Sequence, residues 1–109
     1  MARRHARYDV HLVDLEPVRG SEIAKRRPCA IVSPNETNAR LRTVTIVPLT
    51  STRKGYPHRV TITFGGVVGE AATDQIRAVD KQRLLRYLGE LERADARRLA
   101  AKLVEMFAF

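Results

Sequence analysis

Two polar segments, Arg19 to Arg27 and Thr50 to Pro57, carry hydroxyls and cations of the kinds that hold a phosphate. Arginine presents a planar fork of donors and stays protonated at any working pH, so an arginine in these loops can clamp negative charge but makes a poor base. The hydroxyls of the two loops add neutral donors. Such a set suits RNA cleavage, which needs no external nucleophile: the ribose 2′-hydroxyl attacks its own phosphate once it is held in line and the added charge is stabilised. A second reading stays open, in which both loops are solvated and their cations only keep the protein in solution. Arg53 and Lys54 add charge to the second loop. Tyr56 is either a stacking platform for a base or a plain loop residue, and His58 is either a neighbour of the site or a solvated strand edge.

Other chemistries find little support. His5, His11 and His58 lack HExxH or HxH spacing, and a single cysteine supplies no thiolate cluster, so no metal site is expected. Glycine-rich phosphate loops of the GxGxxG and GxxxxGK[ST] types are absent, and no cofactor is expected. Cys29 lies in the apolar run Cys29-Ala30-Ile31-Val32, which predicts a buried, inert thiol. The start of the chain is basic with no apolar stretch behind it, and no run approaches a membrane span; a cytoplasmic protein is expected.

Twenty Lys and Arg against 12 Asp and Glu give a formal charge of +8, which points to polyanions as partners. Most of these cations are arginine, and its bidentate, stacking chemistry favours nucleic acid over a membrane. A high-GC genome, which enriches Arg and Ala, would produce the same composition. Hydrophobic residues make up 44% of the chain and aromatics 6%, so the core must be aliphatic.

One domain over 1–109 is expected, with 1–7 as a flexible basic arm. Apolar patterning predicts strands over Asp9–Leu15, Cys29–Val32, Thr43–Leu49 and His58–Phe64, with Val67–Thr73 and Ile76–Val79 also extended. Glu16 to Arg27 reads as a mobile loop closed by Pro28. Ser33-Pro34-Asn35-Glu36 reads as a capping box for a brief helix to about Leu41. Asp80 is placed to cap a short helix through about Leu88, ended by Gly89. Ala96, Leu99, Leu103 and Met106 recur at helical spacing, predicting an amphipathic C-terminal helix. Short strands with few long connections imply a mainly β protein, a small curved antiparallel sheet or closed barrel with added helices.

In this order the chain carries Asp9-Val10 with Val13-Asp14-Leu15-Glu16-Pro17, then Gly20-Ser21-Glu22, Arg27-Pro28, Pro48-Leu49-Thr50-Ser51, and Asp74-Gln75-Ile76-Arg77 with Val79-Asp80. Together these fragments resemble the MazF/PemK family of toxin endoribonucleases from Tyr8 to the C-terminus. The resemblance implies a small SH3-like barrel with a C-terminal helix, a homodimer, and metal-free cleavage of single-stranded RNA to a cyclic phosphate and a 5′-hydroxyl. It implies Arg27 and Thr50 as the catalytic pair, with Glu22 as the acid of the loop motif and Ser51 extending the threonine position. Asp74 and Gln75 match an acid and an amide that contact RNA in plasmid members. Those members also place a catalytic Arg two residues before the Asp, where this chain has Ala72. A cognate antitoxin with an acidic inhibitory segment is implied as the protein partner. Two other readings use the same barrel: a gyrase-binding toxin of the CcdB type, whose contact residues include a tryptophan this chain lacks, and a basic barrel that binds RNA without cutting it.

Overall fold

The computed structural model describes residues 5–109. Residues 1–4 of the expected arm lie outside the described residues. His5, Ala6 and Arg7 are tethered: the His5 carbonyl accepts from Asn38 Nδ2 at 2.9 Å, and the Ala6 and Arg7 amides donate to Asp9 Oδ2 at 3.1 Å and Asn35 Oδ1 at 2.7 Å.

Seven antiparallel strands form one curled sheet: β1 (Asp9–Asp14), β2 (Arg26–Ile31), β3 (Thr43–Thr50), β4 (Val60–Phe64), β5 (Val67–Ala71), β6 (Arg77–Asp80) and β7 (Leu84–Glu90). Helix α1 (Asn35–Arg40) follows β2, and α2 (Arg93–Phe107) closes the chain. The strand order is β4-β5-β3-β2-β1-β7, with β6 also on β3. The mainly β expectation holds, as a half-barrel with two helices. Its curl centres on β3, which pairs with β6 over Thr43–Ile46 and then with β5 at Leu49 and Thr50. One strand edge serving two partners in succession obliges the sheet to bend there.

The central strands are apolar where both their faces are covered, at residues 29–31 of β2 and 46–49 of β3. Val44 and Ile46 of β3, Cys29 and Ile31 of β2, and Val13, Leu15 and Val79 form one cluster. Residues of opposite parity, Val47, Leu49, Ala30 and Val10, pack with Val60, Ile62 and the Ala96 and Leu99 face of α2. The expected helical spacing thus describes α2 correctly, with Ala96 and Leu99 buried.

Four local expectations give way to tertiary structure. Strand β2 starts at Arg26, ahead of the expected Cys29, because Asp14, Val13 and Leu12 pair with Arg26, Arg27 and Pro28. Pairing of β2 with β3 begins only at Cys29, so Pro28 occupies a stretch open on one side, where proline is tolerated. The capping box does not form: α1 has Pro34 at its N-cap, and the Ser33 hydroxyl instead donates to Asn38 Oδ1 and accepts from Thr45 N. Asp80 caps a single 3-10 turn, Lys81–Arg83, and the expected helix beyond it is β7, held by the free edge of β1. Gly89 ends no helix; it sits in β7 with φ +144, where the β1 register slips between Val10 and His11 as at a bulge. His58, expected to open β4, has φ +66 and lies in the turn before it.

Gly69 is fixed by close approach. A Cβ there would sit 2.1 Å from the Thr50 carbonyl oxygen, whereas one at Gly65 (φ +59) would meet nothing within 4 Å. Gly69→Ala should therefore cost about 3 kcal/mol by forcing β5 away from β3, and Gly65→Ala about 1 kcal/mol from backbone conformation alone. Urea unfolding of the two variants checks this; equal losses would contradict the close approach.

Candidate active site

The seam between β3 and β5 leaves a cleft of about 220 Å³, lined by Arg27, Thr50, Ser51 and Glu70 above an apolar floor that includes Pro28, Leu49, Ile62 and Phe64. Arg27, Thr50 and Glu70 lie on strands, and Ser51 follows the end of β3. Arg27 is held by its pairing with Val13, and Thr50 by its pairing with Glu70. Arg27 is exposed, and its Nε donates to the Ala24 carbonyl at 3.2 Å, which orients the guanidinium and leaves its terminal nitrogens for a ligand. The Thr50 Oγ1 accepts from the Thr52 amide at 3.1 Å, so its hydroxyl proton is left to donate.

Behind this cleft lies an ionic network that the sequence did not disclose. Glu70 is 5% exposed. Its Oε1 accepts from the Lys54 amide at 2.9 Å and from Arg59 Nη1 at 3.3 Å, and its Oε2 accepts from the Gly55 amide at 2.9 Å. Arg59 also grips Asp74 in bidentate fashion, Nε to Oδ1 at 2.7 Å and Nη2 to Oδ2 at 3.0 Å. Burial alone would raise the Glu70 pKa, but the two amides and Arg59 outweigh it and hold the carboxyl below its ordinary value. The hydrogen bond from Arg59 likewise lowers Asp74, and Arg59 itself is raised chiefly by that bond. The only sequence signal for Glu70 is a lone carboxylate in the small, apolar run Val67-Val68-Gly69-Glu70-Ala71-Ala72.

The other residues singled out from sequence are spread around this centre. Glu22, Asp74 and Gln75 line a second depression with Ile23, Pro48 and Arg77. There Glu22 Oε1 accepts from the Arg19 amide at 2.5 Å, and Gln75 Oε1 accepts from the Ile23 amide at 3.2 Å, pinning the first polar loop. Arg53, Lys54 and Tyr56 are exposed on the second loop, outside the cleft lining. The Arg59 guanidinium lies 4.6 Å from the Tyr56 ring centroid and Lys54 Nζ lies 5.6 Å from it. His58 is directed at α2, its Nδ1 3.8 Å from Glu105 Oε1. Cys29 is buried, and desolvation pushes its thiol up to about 12. Among the described residues, no three His, Cys, Asp or Glu side chains gather as a metal site, and no helix is long and apolar enough to cross a membrane.

A family profile described as the PemK-like, MazF-like toxin of type II toxin-antitoxin systems matches residues 6–107. The chain belongs to this family. It is 37% identical over 103 residues to the endoribonuclease MazF9 of Mycobacterium tuberculosis, covering 85% of this chain and 87% of that protein. It is 35% identical over 71 residues to the endoribonuclease toxin MazF of Escherichia coli, covering 65% of this chain and 64% of that one. In three dimensions it is similar to MazF from Deinococcus radiodurans, with a TM-score of 0.86 at 26% identity over 99% of this chain and 100% of that one. A mycobacterial endoribonuclease solved in complex with its cognate antitoxin gives 0.77 at 29%, over 92% and 91%. MazF-like architecture therefore accounts for the whole described sheet and both helices.

The network makes this toxin's stability acid-sensitive in a defined direction. Carboxyls with lowered folded pKa values stabilise the fold above their ordinary range, roughly pH 4, and lose that contribution as pH falls through the folded values. Arg59→Met, which breaks a buried pair, should cost about 3 kcal/mol at neutral pH, and this deficit should shrink as the medium becomes strongly acidic. Thermal melts of both proteins across acidic pH test it; a deficit independent of pH would show that Arg59 acts through packing alone.

Proposed function

We propose that this endoribonuclease toxin cuts single-stranded RNA in the Arg27–Thr50 cleft by internal attack of a ribose 2′-hydroxyl. The observation that carries the reading is that Arg27, Thr50 and Ser51 line one cleft, with Arg27 Nε on the Ala24 carbonyl and Thr50 Oγ1 accepting from the Thr52 amide, which leaves the Arg27 terminal nitrogens and the Thr50 hydroxyl proton for a ligand. The 2′-oxygen gives its proton to water and bonds to phosphorus, the bond from phosphorus to the 5′-oxygen breaks, and that oxygen takes up a proton from water. The products are a 2′,3′-cyclic phosphate and a free 5′-hydroxyl. Arg27 neutralises the charge that grows on the non-bridging oxygens, and the Thr50 hydroxyl donates to the same phosphate or to the leaving oxygen. Ser51 extends this donor row. Arg53 and Lys54 guide the flanking backbone, Tyr56 offers a ring to a base, and Glu22, Asp74, Gln75 and His58 support the loops that bound the groove. Nucleophile and leaving group both belong to the substrate, and no metal ion has a step in this scheme.

The same reading places the protein in the cytoplasm as a homodimer restrained by an antitoxin. Val104, Phe107 and Phe109 remain exposed on and beyond α2, apolar surface of the kind that a second copy covers. Arg19, Lys25, Arg26, Arg27, Arg53 and Lys54 are all exposed, which supports an antitoxin segment that is acidic and overlaps the RNA path. Neither the gyrase-binding nor the purely RNA-binding alternative draws support from relatives that are named endoribonucleases.

Arg27→Ala should lower kcat on the order of 100-fold or more while changing unfolding free energy by at most about 0.5 kcal/mol, since Arg27 is exposed. Thr50→Val should also slow turnover, cutting should persist in EDTA, and an RNA with a 2′-deoxy sugar at the cut site should resist. Cleavage of that deoxy substrate would sink the internal-attack scheme. The acidic antitoxin segment should displace RNA, with affinity that weakens steeply as salt rises; simultaneous binding of both would remove the groove from the proposal.

A further inference from the structure

The cleavage scheme gives no step to the most buried ionic group at the site. Glu70 stands opposite Thr50 across the β3–β5 seam, and the neighbouring Gly69 lies against the Thr50 carbonyl. The same residue reaches over to the Lys54 and Gly55 amides. One position of β5 therefore fixes the segment Thr50–Gly55 at both ends, by ladder pairing at one and by a carboxylate at the other. Ser51, Thr52 and Arg53 are strung between, and Thr52 closes back through its amide onto Thr50 Oγ1. Stability does not call for a charge here, since well-packed apolar residues commonly replace buried ion pairs without loss.

We propose that Glu70 is a positioning residue for RNA cleavage: by holding the Lys54 and Gly55 amides it fixes the loop that aims the Thr50 hydroxyl and seats Ser51 in the cleft. The proposal rests on the assignment of that cleft to the reaction. A carboxylate suits the task because three donors converge on it, and both of its oxygens accept. Glutamine has the same shape but one acceptor oxygen, and its amide group would face a donor. Aspartate keeps the charge but is shorter by a methylene. Loosening the loop moves the donors out of line, and misplacement of about 1 Å can cost on the order of 100-fold in rate.

The test combines steady-state cleavage of a fluorogenic RNA by wild type, Glu70→Gln, Glu70→Asp and Arg27→Ala with amide hydrogen exchange on the folded proteins. In wild type the Lys54 and Gly55 amides should exchange more slowly than those of Ser51 and Arg53. In Glu70→Gln that protection should be lost and kcat should fall by about 10- to 100-fold with KM little changed, while Glu70→Asp should recover part of both. A Glu70→Gln protein that loses protection yet cuts at the wild-type kcat overturns the proposal and leaves the cleft assignment standing. If Arg27→Ala cuts normally, the cleft assignment fails and the proposal falls with it. Should the glutamine variant not fold, the wild-type exchange pattern still decides: Lys54 and Gly55 amides exchanging as fast as their neighbours would show that no clamp exists.

Discussion

A carboxylate removed from water is costly unless donors replace the lost hydration. Glu70, 5% exposed, meets that requirement with two backbone amides and a guanidinium, and much of the surrounding geometry follows from it. The donor amides belong to a loop that would otherwise be free, so satisfying the charge dictates the path of that loop. Bringing Glu70 into register with Thr50 requires β5 to approach so closely that only glycine fits at position 69. Arg59 is then committed to the interior. Its second face meets Asp74, and the 3-10 turn Thr73–Gln75 that carries Asp74 also supplies the Gln75 oxygen holding the Ile23 amide. Both polar loops are consequently anchored to one short stretch of chain, 69–75, although they are separated in sequence.

Arginine is abundant here, and its members differ by surroundings rather than by type. Arg59 has both carboxylate partners within hydrogen-bond reach and carries no spare charge for a ligand. Arg27 is held by one carbonyl and meets no carboxylate among the ion pairs of the described residues. A guanidinium already paired is a strut, and one steadied by a single neutral acceptor is available to a phosphate. The count of 20 cations is therefore a blunt guide, because part of that basic complement is neutralised internally.

Elements governed by their own periodicity were legible from the chain: the β-branched run of β3, the alternation of Val60 and Ile62, and the apolar stripe of α2. Legibility ended where pairing across the sheet decided the outcome. Leu84–Glu90 carries no strand signal strong enough to outweigh the apparent cap at Asp80, and it becomes β7 because the outer edge of β1 needs a partner. Ser33 followed by Glu36 fits a capping box, yet the same hydroxyl finds Asn38 of α1 and Thr45, the latter near only once the sheet has closed. Arg27 and Thr50 entered through a resemblance, and their shared cleft could not be read from spacing. Glu70 was harder still, since a single carboxylate in a strand gives no hint that it will turn inward to bind amides sixteen and fifteen residues earlier.

Among the described residues, no histidine lines the cleft, and its one carboxylate is already engaged by three donors with its pKa held low. Such a site is poorly suited to carrying protons for an activated water, which needs a base with free lone pairs near the reacting atom. It is well suited to presenting positive charge and hydroxyl donors in a fixed arrangement. Reactions whose attacking and departing oxygens both reside in the substrate ask mainly for that arrangement, because intramolecular attack already removes the entropic part of the barrier. The physical demand then shifts from proton-transfer groups to rigidity of the donor row. On the proposed scheme that rigidity comes from the sheet at Thr50 and from the buried carboxylate beneath the loop that follows it.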